Sequence, residues 1–129
     1  MKKFKRLLSI VLSGLALTLC VCCDSSSGYR QISMEEAVRL MQSEKDYIIL
    51  DVRRPDEYAL GHIPGAINVQ NEIIGTEQIP ELPNKGQLIL VYCRSGRRSK
   101  EAAEKLVRLG YTNVVEFGGI LDWTGDIEK

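Results

Sequence analysis

Histidine occurs once in the 129 residues and cysteine four times, with three of those cysteines inside the first 23 positions. The part of the chain that follows therefore holds a single histidine, His62, and a single cysteine, Cys93. One of each cannot assemble the usual zinc ligand set, so no resident metal is expected. A lone thiol has no intradomain partner either, which excludes a disulfide framework. Net charge is also missing: 17 Lys and Arg against 17 Asp and Glu give a formal charge of zero. That balance suggests neither a nucleic-acid partner nor an acidic surface, and any electrostatic specialisation has to be local. No internal repeat or low-complexity tract follows residue 28.

Apolar runs are concentrated at the start. MKKFKR leads into LLSIVLSGLALTLCVCC, uncharged from Leu7 to Cys23. A basic head followed by an apolar run is an export signal, and its length also permits an uncleaved membrane anchor. The run ends in Cys20, Cys22 and Cys23 and is followed by the Ser-rich tether DSSSG. It resembles a bacterial lipoprotein signal, with Cys22, Cys23 and then Cys20 as lipidation candidates. The expected organisation is 1–23 signal or anchor, 24–28 tether and 29–129 one domain of roughly 100 residues around one core. Basic residues at the head keep the N-terminus inside, so the domain is expected outside, held at the outer face of the cytoplasmic membrane.

From Tyr29 onward strand and helix signals alternate. Ser33 and Glu36 form a capping-box pattern, with Met34, Ala37, Val38 and Met41 on one helical face. YIILD (47–51) reads as a buried strand and PDEYAL as a short helix opened by Pro55 and stopped by Gly61. AINV (66–69), LILVY (88–92) and VVEF (114–117) read as further strands. The stretch from about Ser99 to Leu109 places Ala102, Ala103, Leu106 and Leu109 on one side, with Gly110 to end it. Buried strands alternating with helices predict an α/β domain with a largely parallel sheet and helices on both faces.

This order gives Cys93 its setting. It lies just beyond the C-terminal end of a central strand, where open α/β sheets place ligand sites, and its loop leads into a helix N-terminus. Loop amides, the helix dipole and nearby arginines all stabilise an anion there, which points to a nucleophilic thiolate. His62 sits in GHIPGAIN, a turn shaped by Gly61, Pro64 and Gly65, and reads as structural. Trp123 reads as a packing residue, and Glu101, Glu104, Lys105 and Arg108 as a solvated helix face.

CRSGRRS (93–99), with DVRRPDEYALGHIPGAINV (51–69) before it and GGILDW (118–123) after it, resembles the single-domain rhodanese family of sulfurtransferases, in order and spacing, from about Tyr29 onward. The resemblance implies a five-stranded parallel sheet, Cys93 as the residue that becomes a persulfide, and an active-site loop of Arg94, Ser95, Gly96, Arg97 and Arg98, with Arg98 closing it. It implies a chiefly structural role for Asp51 and Arg53 and an abbreviated final helix. It implies transfer of sulfane sulfur from a small anionic donor such as thiosulfate to cyanide or a thiol, with no cofactor. A persulfide carrier or thiol-redox module serving a protein sulfur acceptor uses the same residues and is the alternative. Cysteine phosphatases resemble a Cys and Arg separated by five residues, whereas Cys93 and Arg98 are separated by four.

Overall fold

The computed structural model describes residues 28–75 and 77–129. The export signal, the three lipidation candidates Cys20, Cys22 and Cys23, and most of the tether lie outside the described residues.

Elements follow in the order β1 (Arg30–Gln31), α1 (Met34–Ser43), β2 (Tyr47–Asp51), α2 (Pro55–Leu60), β3 (Ile67–Asn68), β4 (Leu88–Cys93), α3 (Arg97–Arg108) and β5 (Val114–Gly119). Short 3-10 turns at Asn71–Ile73 and Ile120–Asp122 follow β3 and β5. The five strands form one parallel sheet in the order β1-β5-β4-β2-β3. The LILVYC strand is central because all six of its residues are buried, as a parallel strand covered on both faces requires.

Alternation along the strands divides the interior in two. Ile89, Val91 and Cys93 pack with Leu50, Val52 and Val114 against Ala102, Ala103 and Leu106 of α3. Leu90 and Tyr92 pack with Ile49, Val115 and Phe117 toward Ala37, Met34, Leu40 and Met41 of α1. The sulfur of Cys93 thus belongs to the α3 side of the sheet.

Three local features differ from the sequence reading. Helix α3 begins at Arg97, so only Arg94, Ser95 and Gly96 connect it to β4, and Arg97 and Arg98 belong to its first turn. Gly96 makes this possible by adopting φ +108° just before the helix, a conformation that costs other residues a steric penalty. At α1, Ser33 Oγ accepts from the Glu36 N–H at 3.1 Å as expected, but the Glu36 carboxylate accepts from the Ser33 hydroxyl at 3.3 Å rather than from its backbone. Strand β3 pairs only through Ile67 and Asn68.

One irregularity bears on the site. Val91 pairs with Glu116, but the next in-facing residue of β4, Cys93, pairs with Gly119. Strand β5 therefore carries one extra residue opposite Cys93, a β-bulge of the kind that re-aims a strand beside a site.

After Trp123 no further helix forms among the described residues. The tail returns to make an antiparallel bridge between Glu128 and His62. His62 stacks on Tyr58 at 3.8 Å between ring centroids, with Nδ1 3.0 Å from the Tyr58 carbonyl. The turn reading of this histidine agrees with that placement.

Candidate active site

Cys93 ends β4 and is fully buried. The backbone N–H of Gly96 donates to its Sγ at 3.0 Å, and the Ser99 hydroxyl oxygen lies 3.5 Å away. Helix α3 starts one residue beyond Gly96, so the positive end of its dipole faces the sulfur, an arrangement that favours negative charge there.

The three-residue loop rests on the end of β5. The Leu121 N–H donates to the Arg94 carbonyl at 3.2 Å. Gly119 has no room for a side chain: a Cβ there would collide with the Arg94 carbonyl and lie 2.6 Å from the Ser95 nitrogen. A glycine is thus required under the loop by close approach of two backbones.

The arginines of the motif have separate tasks. Arg98 turns to α2, where its guanidinium donates to Glu57 at 2.7 and 3.1 Å. The Arg98 bond, assisted by the Arg54 N–H at 2.9 Å, holds the Glu57 carboxyl down at about 2. The same pairing, with the Cys93 sulfur adding to it, raises Arg98 above its usual value. Arg98 is therefore a brace between α3 and α2 more than a free anion ligand. Arg97 is exposed and pairs with Glu101 one helical turn on, at 2.9 Å. Arg94 is exposed, and its guanidinium makes no ion pair among the described residues. Above the loop, a cleft of about 410 Å³ is lined by Arg54, Arg94, Arg97 and Arg98, with Glu57 and Glu72 among them and Ser95 in the loop.

Asp51 and Arg53 sit at the end of β2, on the other side of the sheet from the sulfur. Arg53 Nε and Nη2 donate to the Asp51 carboxylate at 2.7–3.1 Å, and the Tyr92 hydroxyl donates to it at 2.7 Å. Burial and the Asp51 bond push the Tyr92 phenol far above its usual range. Arg53 also reaches the Gly61 carbonyl at 2.7 Å, and Asn68 ties the carbonyls of Asp51 and Arg53 together at 2.9 Å each. This network fixes the strand end that carries the α2 wall of the cleft.

The structure thus brings Cys93, Arg94, Ser95 and Gly96 together, sets Arg97 and Arg98 on the helix behind them, and keeps Asp51 and Arg53 as scaffold. Three participants were not singled out by the sequence reading. Glu57 braces Arg98; Ser99 touches the sulfur; Glu116 accepts from the Ser99 hydroxyl at 2.7 Å. The available signal for Glu116 was an acidic residue in an otherwise apolar strand, VVEF.

A family profile for the rhodanese-like domain matches residues 33–126. The chain belongs to the rhodanese-like domain family. Among curated relatives, it is 38% identical over 73 residues to the thiosulfate sulfurtransferase PspE of Escherichia coli K12, covering 57% of this chain and 70% of that one. It is 33% identical over 106 residues to a putative sulfur carrier protein, YrkF, of Bacillus subtilis, covering 81% of this chain and 56% of the relative. It also matches the adenylyltransferase and sulfurtransferase UBA4 of Candida albicans, 34% identical, covering 77% of this chain but only 24% of that protein. The chain therefore spans about half of one of these relatives and a quarter of another. Among solved structures, a rhodanese with anions from E. coli superposes with a TM-score of 0.59 at 37% identity, covering 64% of this chain and 98% of that one. A rhodanese-like domain protein from Staphylococcus aureus gives a TM-score of 0.64 at 28% identity, covering 77% and 96%.

Proposed function

We propose that this protein is a sulfurtransferase that carries a sulfane sulfur on Cys93, taking it from a small anionic donor such as thiosulfate. The observation that carries this reading is the bond from the Gly96 N–H to Cys93 Sγ at the N-terminus of α3, in a loop whose Arg94 and Ser95 line a cleft with Arg54, Arg97 and Arg98. In the first half-reaction the Cys93 thiolate attacks the outer sulfur of thiosulfate. A new S–S bond forms at Cys93, the donor S–S bond breaks, and sulfite leaves with the electron pair. In the second, cyanide or a thiolate attacks the outer sulfur, and Cys93 recovers its pair as thiolate.

Arg94, the one guanidinium of the cleft without an ion pair among the described residues, supports donor recruitment. Arg98 supports the geometry by holding α3 to α2. The loop N–H groups offset charge on the reacting sulfur without reorganising. The Bacillus relative's name, a putative sulfur carrier, supports a second reading in which the acceptor is a dedicated protein thiol. Export and anchoring at the outer face of the cytoplasmic membrane form part of the proposal. They rest on the basic and apolar N-terminal sequence alone; among the described residues no helix is long and apolar enough to cross a membrane.

Mass spectrometry after thiosulfate treatment tests the reading: the protein should gain one sulfur atom localised to Cys93. Cys93→Ser should lose both that gain and transfer to cyanide while keeping its circular dichroism spectrum. Full transfer by the serine variant would end the proposal.

A further inference from the structure

Glu116 is 2% exposed, and every partner of its carboxylate is neutral. The Ser99 hydroxyl lies 2.7 Å from Oε1, the Gly118 N–H donates to Oε1 at 2.8 Å, and Gln31 Nε2 donates to Oε2 at 3.3 Å. Ser99 is itself fully buried, and its Oγ is the group that the Cys93 S–H reaches, at 3.5 Å. Ser99 Oγ also approaches the carbonyls of Gly96 at 2.9 Å and Gly118 at 3.3 Å, but its shortest contact is with Glu116. A thiol, a hydroxyl and a carboxylate thus stand in a row beneath the loop, all closed to solvent.

Two negative charges at the ends of such a row repel in a site with little water to screen them. We propose that Cys93 and Glu116 hold one negative charge between them, with Ser99 as the hydroxyl through which the proton passes. Glu116 is then a positioning residue for the reacting sulfur, an inference that rests on the reading of Cys93 as that sulfur.

In the forward step the S–H bond of Cys93 breaks and its proton goes to Ser99 Oγ, while the original Ser99 proton goes to Glu116 Oε1. The sulfur keeps the electron pair, and nothing is oxidised or reduced. Once the persulfide forms, its charge lies about 2 Å farther out, one S–S bond away, toward the arginines of the cleft. When an acceptor removes the outer sulfur, the proton returns along the same row and restores thiol and carboxylate.

Resting and reactive forms contain the same number of protons, so their ratio does not depend on pH. That distinguishes this pair from an isolated thiol, whose thiolate fraction rises tenfold per pH unit below its midpoint. The neighbouring charges leave the distinction intact. Tyr29, whose phenol is raised above its ordinary value by burial and then by the charges of Glu104 and Glu116, stays neutral. Glu57, held at about 2, stays ionised against Arg98. Glu104 pairs with Arg108 at 3.5 Å on the solvent side of α3, Arg94 lies on the exposed side of the loop, and Asp51 with Arg53 lies across the sheet.

The test follows the rate of Cys93 modification in the full chain by thiosulfate and, separately, by iodoacetamide, between about pH 5.5 and 8.5. With either reagent the wild-type rate should change less than about threefold across this window. Glu116→Gln should regain a rise of about tenfold per pH unit. Ser99→Ala should do likewise, while Ser99→Thr, which keeps the hydroxyl, should restore the flat profile; these two decide the matter if the glutamine variant does not fold. Parallel profiles in wild type and variants overturn the proposal, as does a Cys93 that reacts with neither reagent. A flat iodoacetamide profile with no sulfur gained from thiosulfate would leave the shared charge standing and reject the sulfurtransferase reading instead.

Discussion

The sheet buries two acidic side chains near the C-terminal ends of its strands, and they are held in opposite ways. Asp51, fully buried on the α1 side, is enclosed by the Arg53 guanidinium, the Tyr92 hydroxyl and the Arg53 N–H. Glu116, on the α3 side, has a hydroxyl, an amide and a carboxamide and no cation. The first arrangement neutralises its charge and leaves little for a proton to do, as in a scaffold. The second leaves a charge that its surroundings can only share, and it stands beside the one thiol of the domain. Placement at the end of a parallel strand is common to both, so the kind of partner, not the location, separates structure from chemistry here.

Stability measurements should expose this contrast most strongly. Arg53→Ala leaves Asp51 buried without its cation, and loss of one member of a buried pair costs about 3–5 kcal/mol. Glu116→Gln removes a charge that has no cation to lose and should cost well under half of that in the same urea titration. Equal losses would mean that the two carboxylates are held alike.

The Glu57–Arg98 brace gives an intermediate effect with a defined sign. Glu57 lies at about 2 in the fold against an ordinary value near 4.5. A carboxyl depressed by folding contributes stability that is complete above the unfolded value and disappears as pH falls through the folded one. Urea midpoints should therefore drop more steeply in wild type than in Glu57→Gln between about pH 5 and 2, and the two curves should converge at the acid end.

The smallest effect is expected in the cleft. Arg94→Ala should raise the thiosulfate KM about fivefold, with kcat changed less, as loss of an exposed charge weakens recruitment more than chemistry. Arg97→Ala, whose guanidinium already serves Glu101, should change it by less than twofold. A larger effect for Arg97 would reassign the recruiting charge.

The fold was legible because its signals are local and repeated. YIILD, LILVY and the Ala102–Leu106 stripe each declare period and burial without reference to distant residues. Cys93 was legible for a related reason, since a strand, a thiol, a glycine and a helix follow one another within a few positions. The roles within the arginine cluster were not legible. The resemblance set Arg98 apart as the residue closing the loop, but only the approach of α2 assigns Glu57 to it, across 41 positions of sequence. Ser99 and Glu116 escaped notice because each has an ordinary local explanation, a first-turn helix serine and an acidic residue in a strand. Their meeting depends on which face of β5 turns toward α3. Helix α3 began early for a similar reason: Gly96 turns the chain before the sequence pattern becomes amphipathic.

The extra residue in β5 acts as a count that the site must keep. With it, Gly119 falls opposite Cys93 and the Gly118 N–H reaches Glu116. Removing one residue between Phe117 and Gly119 would slide Ile120 into the place of Gly119, where any Cβ strikes the Arg94 carbonyl. A surface loop can lengthen at little cost, whereas this strand keeps its register only at fixed length. Homologous chains that reshape the mouth of the cleft would therefore vary α2 and the segment after β3, and leave the spacing from Glu116 to Gly119 untouched.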